Sequence, residues 1–104
     1  MVDQRLTKID VEFSAAFVPI SGSEHFSMEL EENEATVQGV LSRLSKEYGE
    51  RMTSLLFEKG QEDILSGLMV TVNGKAYTGT ALNQQRVRVH GGDRVGLLYF
   101  VSGG

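Results

Sequence analysis

Arg94-Val95-Gly96-Leu97-Leu98-Tyr99-Phe100-Val101-Ser102-Gly103-Gly104 is the stretch on which the fold turns. In an extended chain Val95, Leu97, Tyr99 and Val101 fall on one side and Leu98 and Phe100 on the other, because successive side chains of a strand alternate. A strand apolar on both sides belongs in the middle of a sheet, with a helix over one face and something else over the other. A partner protein is one such cover.

The preceding segments supply the rest of the sheet. From Thr7 to Phe13, Ile9, Val11 and Phe13 alternate with Lys8, Asp10 and Glu12, the pattern of a half-buried strand. Ala15 to Ser23 reads as a long hairpin loop, after which Phe26, Met28 and Leu30 alternate against Ser27, Glu29 and Glu31 in a second strand. The spacing then changes: Val37, Val40, Leu41, Leu44 and Tyr48 share one face of a helix. Asn33 or Thr36 suits its start, the carboxylates of Glu31, Glu32 and Glu34 suit the positive end of its dipole, and Gly49 suits its end. Gly39 inside it costs ~1 kcal/mol against Ala and suggests a close approach to the sheet.

Beyond the helix, Met52, Leu55, Leu56 and Phe57 suggest a short helix and Gly60 to Asp63 a loop. Leu68 to Asn73 is strand-like, Asn73-Gly74 is a tight turn, and Tyr77 starts the returning segment. Val87 and Val89 flank Arg88 in a short strand, and His90-Gly91-Gly92-Asp93 turns the chain into the last one. One helix covers only one face of such a sheet, so the fold class is α+β with a mixed sheet.

Composition narrows the function. With 104 residues, 40% hydrophobic and 23% charged, the chain is expected to form a single domain over residues 1–104, burying roughly 65% of its unfolded surface without staples. Ten Lys and Arg against fourteen Asp and Glu give a net charge of -4 with no basic run, which argues against nucleic acid as a partner. The absence of Cys removes thiolate catalysis and Cys-based metal sites, and His25 and His90 lack a ligand spacing. No metal is expected, and the Glu29 to Glu34 carboxylates read as a solvated, helix-capping run. The longest apolar stretches, Ala15 to Ile20 and Val95 to Val101, fall far short of the ~20 residues of a membrane span. No apolar signal core follows the first residues, so the expectation is a cytoplasmic protein without membrane association. Phosphate loops, dinucleotide fingerprints, H-E-x-x-H and nucleophile elbows are all missing.

What remains is Val101-Ser102-Gly103-Gly104, directly after the most hydrophobic strand. The strand order together with this Gly-Gly ending resembles the ubiquitin-like β-grasp proteins, and within them the small subunit of molybdopterin synthase and its ThiS and MoaD-like relatives. The resemblance is carried in order by the amino-terminal strand, the helix beginning near Thr36-Val37, Val70-Thr71-Val72-Asn73-Gly74, Gly92-Asp93-Arg94-Val95 and Gly103-Gly104. It implies a mixed five-stranded sheet packed on one main helix. In place of the prolines many members carry before the tail, this chain has Leu98-Tyr99-Phe100-Val101-Ser102. Residues 50–67 are longer than in thiazole-type carriers, which leans toward the molybdopterin type.

The resemblance also implies a chemistry. A ubiquitin-activating-type enzyme, using ATP and Mg, adenylates the Gly104 carboxylate, and a sulfur donor protein converts it to a thiocarboxylate. The large subunit of molybdopterin synthase then houses the sulfur transfer. The chain itself binds no cofactor and performs no catalysis alone. Residues 101–104, expected to be flexible, reach ~13 to 14 Å when extended, and Gly103 and Gly104, lacking Cβ, suit entry into a narrow channel. Phe17, Leu98 and Phe100 are read either as a docking surface or as core, with Val101 and Ser102 leading into the partner. A ubiquitin-like modifier joined through Gly104 to lysines, a carrier for thiazole or thiolated tRNA, and a non-covalent module stay open as alternatives.

Overall fold

Five strands form one mixed sheet in the order β2-β1-β5-β3-β4, in a computed structural model that describes residues 6–59 and 63–99. They are β1 (Leu6–Phe13), β2 (His25–Glu31), β3 (Leu68–Val72), β4 (Lys75–Thr78) and β5 (Arg94–Tyr99). The strand apolar on both sides is central: β5 runs parallel to β1, pairing Asp10 with Arg94 through Phe13 with Leu97. It runs antiparallel to β3, pairing Leu68 with Tyr99 through Val72 with Val95. This is the α+β, β-grasp arrangement expected from the sequence.

The principal helix, α2 (Val37–Tyr48), follows a short 3-10 turn at Glu32–Glu34. Thr36 rather than Asn33 caps it, its hydroxyl accepting from the Gly39 amide at 2.9 Å, which satisfies one of the amides left free at a helix start. Val37, Val40, Leu41 and Leu44 are fully buried against Ile9, Val11, Val70, Val95 and Leu97 in one core cluster. Gly49, at φ +85°, closes the helix, and α3 (Glu50–Leu56) begins at once, near where a short helix was expected.

Gly39 serves a different contact from the one anticipated. A Cβ there would lie 1.9 Å from the carbonyl oxygen of Glu34, so the close approach is to the turn that leads into α2 and not to the sheet.

Three further expectations are corrected. The loop between β1 and β2 holds a helical turn, α1 (Val18–Ser21), with Pro19 in its first turn and Gly22 at φ +79° after it. The segment Val87 to Val89 is not a sheet strand. It makes a single bridge, Arg88 to Thr36, with the Val37 amide donating to Val87 O at 2.8 Å and the Val89 amide to Ala35 O at 3.0 Å. The two valines alternate because Val89 is buried, a mark of packing that says nothing of the strand's partner. The fourth strand is instead β4, which returns from the Asn73-Gly74 turn and runs into a helix not foreseen, α4 (Gly79–Gln84). Thr78 caps α4, accepting from the Ala81 amide at 3.1 Å. Gly79 lets α4 press on the segment before β3, since a Cβ would sit 1.8 Å from Leu65 O.

Among the described residues no helix is long and apolar enough to cross a membrane.

Candidate functional site

Tyr99, the last residue of β5, is also the last described residue of the chain. Phe100, Val101, Ser102, Gly103 and Gly104, five of the residues singled out from the sequence, lie outside the described residues. The site that can be built is therefore the root of that segment and the surface beside it.

Tyr99 is held from two directions. Its ring stacks on Phe17, with centroids 5.3 Å apart and planes 11° from parallel. Phe17 in turn packs on Phe13 at 6.1 Å, and Tyr48 meets Phe13 edge-on at 6.0 Å. Offset stacking and edge-to-face contacts of this kind add to what burial alone contributes. The Tyr99 hydroxyl donates to the carbonyl of Leu55, one of the last four carbonyls of α3, which have no partner within their own helix. The next, Leu56 O, accepts from the Leu65 amide at 2.9 Å. Burial pushes the Tyr99 phenol up to about 12, so it keeps its proton, and remains a donor, throughout the physiological range. Burial, with help from Glu47, raises the Tyr48 phenol as well.

This geometry corrects one reading of Phe17. The residue is fully buried and forms no part of an outward docking surface: α1 turns the chain so that Phe17 points inward, its amide donating to Ser14 O at 2.9 Å. Its part in the site is to hold Tyr99. The sequence places Tyr99 on the side of its strand opposite Leu98 and Phe100, but nothing in it pairs Tyr99 with Phe17 or with Leu55.

Leu98 points the other way, onto the sheet face that no helix covers among the described residues, half-buried beside its cross-strand partner Met69. Next to them Gly96 faces Thr71. A Cβ on Gly96 would come within 2.5 Å of the Thr71 hydroxyl, so the missing side chain keeps this part of the face shallow. Toward the β1–β2 edge the same face carries Asp10, Glu12, Glu29 and Glu31, with Lys8 and Arg94 among them. Arg94 sits 3.6 Å from Glu12. The face therefore joins a small apolar centre at Leu98 and Met69 to an acidic margin.

His25 and His90 are both exposed, and among the described residues no group of three or more His, Asp or Glu side chains is placed to hold a metal ion.

The chain matches the ThiS family over residues 11–104, a stretch that includes Gly103 and Gly104. No curated protein matches the sequence. Solved structures do: the HVO 2177 protein of Haloferax volcanii superposes with a TM-score of 0.78 at 24% identity, over 100% of this chain and 92% of that one. Small archaeal modifier protein 1 of Methanosarcina acetivorans gives 0.74 at 23% identity, over 96% and 99%. A Pyrococcus furiosus protein, named as a candidate molybdopterin converting factor subunit 1, gives 0.65 at 25% identity, over 91% and 99%. These likenesses establish the fold, and the family match establishes the lineage. The chain belongs to the ThiS family, among the ubiquitin-like sulfur carriers of the ThiS and MoaD type.

Proposed function

We propose that this chain is a sulfur carrier that works through a thiocarboxylate on Gly104 and serves as the small subunit of molybdopterin synthase. The observation that carries the reading is the family match, which runs to residue 104 and so takes in Gly103-Gly104. The Pyrococcus furiosus likeness supports the molybdopterin branch, since that protein is named as one subunit of a converting factor.

The chemistry follows from the weakness of a carboxylate as an acyl donor. An adenylating partner, holding ATP and Mg, joins the Gly104 carboxylate to AMP and releases pyrophosphate. A sulfur donor protein delivering sulfur at the oxidation level of hydrosulfide attacks the acyl carbon. The C–S bond forms, the C–O bond to AMP breaks, and AMP leaves with the electron pair. The thiocarboxylate sulfur then attacks a carbon of the pterin precursor in the large subunit's pocket, forming a C–S bond as an oxygen substituent leaves that carbon with its electron pair, and water cleaves the acyl C–S bond, leaving the sulfur on the precursor and returning Gly104 to its carboxylate. Five residues beyond Tyr99 span at most ~18 Å when extended, enough to reach a recessed site while the anchored globule stays outside. The open sheet face, apolar at Leu98 and Met69 and acidic toward β2, is the surface we assign to these partners, and it suits a basic groove opposite.

A second reading has an observation of its own, the fold shared with a protein named a modifier. In that reading the adenylated Gly104 ends in an isopeptide bond to a lysine. One experiment separates the two. Because the chain has no Cys, a thiol-alkylating reagent applied to the protein from its native cell labels only a thiocarboxylate, located by tandem mass spectrometry of the carboxyl-terminal peptide. Intact mass alone does not serve, because oxidation of any of the 4 Met nearly equals exchange of oxygen for sulfur. Label on Gly104, and complete loss of it on deleting Gly104, is the expected result. Gly104 joined to lysines with no label establishes the modifier, and neither form overturns both.

A further inference from the structure

The two edges of the sheet are finished differently. β4 is four residues long and runs straight into α4, which leaves little backbone to pair. β2 is seven residues long, keeps its register with β1 without a bulge from His25 to Glu31, and holds no Pro, Gly or Lys. Shortness, bulges, Pro and Lys are devices that close a sheet edge to further strands, and β2 has none of them. Among the described residues no strand lies beyond it.

The ladder fixes what this edge offers. The Phe13 amide donates to Glu24 O at 2.8 Å, and hydrogen-bonded pairs recur at every second residue of an antiparallel ladder. Phe26, Met28 and Leu30 therefore turn their amides and carbonyls toward β1, while His25, Ser27, Glu29 and Glu31, all exposed, turn theirs outward. His25 O accepts from the Ser23 hydroxyl at 2.7 Å. The four outward amides and the carbonyls of Ser27 and Glu29 have no partner among the described residues. The side chains give the edge two unlike sides. Toward the helices Phe26 is half-buried, edge-on to Tyr48 with centroids 5.6 Å apart. Toward the open face stand Glu29 and Glu31, and among the described residues neither is in an ion pair, whereas Glu12 is 3.6 Å from Arg94.

The free backbone makes the site, and the side chains choose its occupant. A second copy suits it poorly, because two β2 strands side by side would set acidic rows against each other on chains of net charge -4. We infer that β2 pairs antiparallel with an extended strand of a partner protein, one that carries Lys or Arg opposite Glu29 and Glu31 and apolar residues between them. The main chain of that strand answers the outward amides and carbonyls, which supplies affinity, and its alternating side chains supply specificity. Its apolar residues meet Phe26 and Tyr48 on the helical side. β1 separates this edge from β5, so the inference goes beyond the sulfur-carrier reading and stands without it.

The test is a titration of the full-length, 15N-labelled chain with the capped heptapeptide Lys-Val-Lys-Val-Thr-Val-Thr. Laid antiparallel on β2, its lysines fall opposite Glu31 and Glu29 and its valines opposite Leu30, Met28 and Phe26. The expected result is saturable shifts centred on β2, weakening as salt is raised, with exchange slowed at the Ser27, Glu29 and Glu31 amides, which face water in the free chain. N-methylation of the peptide's Lys and Thr residues, whose amides face β2 in this pairing, abolishes binding, and N-methylation of its valines leaves it intact. A peptide with Glu in place of Lys does not bind. Glu29→Lys combined with Glu31→Lys lowers affinity about tenfold. Ser27→Pro, which removes an outward amide at an edge where Pro is tolerated, lowers it by a similar factor while β1 amide shifts stay in place. Equal binding of the Lys- and Thr-methylated peptide, loss of binding on methylating the valines, equal binding of the Glu peptide, shifts centred elsewhere, or no response at millimolar peptide each overturns the proposal. So does slowed exchange of the same amides when the chain alone is concentrated, which places a second copy on the edge.

Discussion

The entry end of the central strand, at Arg94, is a net of polar contacts, and its exit end, at the last described residue Tyr99, is a set of packed aromatic rings. At the entry the Arg94 amide donates to Asn73 Oδ1 at 2.9 Å and the Asn73 amide donates back to Arg94 O at 2.9 Å. Asp93 ties the two turns together, accepting from Asn73 Nδ2 at 2.9 Å and from the His90 amide at 2.8 Å. Asn73 holds φ +51°, a conformation that Asn tolerates better than most residues. At the exit the contacts are Phe17 against Tyr99 and the Tyr99 hydroxyl on Leu55. The polar end is directional and built from two neighbouring turns, so it fixes register. The aromatic end gathers Phe13 of β1, Phe17 just before α1, Tyr48 of α2 and Leu55 of α3, so it fixes the position of Tyr99.

The comparison is broken most directly at Phe17. Phe17→Ala removes a fully buried ring lying between Phe13 and Tyr99, and the expected loss is ~3 to 5 kcal/mol, the range for such truncations. Urea unfolding measures it. A loss below ~1 kcal/mol means that the rings are not what holds the exit end.

At the entry end Asp93→Ala withdraws the acceptor for Asn73 Nδ2 and the His90 amide. Both donors are near the surface, where water replaces a lost partner, so the expected cost is smaller, ~1 to 2 kcal/mol. The effect should also be local. Amide exchange accelerates at His90 and Arg94 while the Tyr99 end keeps its protection, which sharpens the contrast between a register lock and a packing anchor. Equal acceleration at both ends would show that the strand opens as one unit and remove the distinction.

The same contrast explains what was readable in the sequence. Asn73-Gly74 and Gly92-Asp93 announce their turns because the constraint is local: a left-handed residue needs Asn or Gly wherever it occurs. The α2 face at Val37, Val40, Leu41 and Leu44 is legible for the same reason, as one helix repeats its own period. The misreadings are long-range. Val87 and Val89 look like a strand because they are packed, yet they pair with the entry to α2. α4 is six residues beginning on Gly and depends on the capping hydroxyl of Thr78 and contact with Leu65 more than on any periodicity. Phe17 reads as either surface or core until the fold brings it to Tyr99. Gly103-Gly104 stand out as a motif, but the contact that fixes Tyr99 joins positions 44 residues apart at Leu55 and Tyr99, and no local pattern records that.

Tyr99→Phe gives the smallest effect and the sharpest reading of the anchor. The ring and its stack on Phe17 stay, and only the donor to Leu55 O is lost, so the expected cost near neutral pH is about 1 kcal/mol. Its pH dependence reports the burial of the hydroxyl. The phenol titrates at about 12 in the folded chain, raised by burial from its ordinary 10.0. Below the lower value both folded and unfolded chains hold the proton, and the contribution is present in full. Between the two values the unfolded chain gives up its proton while the folded chain keeps it, so stability falls as pH rises. Above the upper value the folded chain loses the proton too, and the donor to Leu55 is gone. The Tyr99→Phe chain has no such group to titrate. Urea midpoints of the two proteins should therefore differ by a constant amount up to pH about 10, and the difference should shrink and then reverse as pH climbs toward 12. A difference unchanged across that interval means the hydroxyl is not buried as it is here, and leaves the stack on Phe17 as the contact that fixes Tyr99.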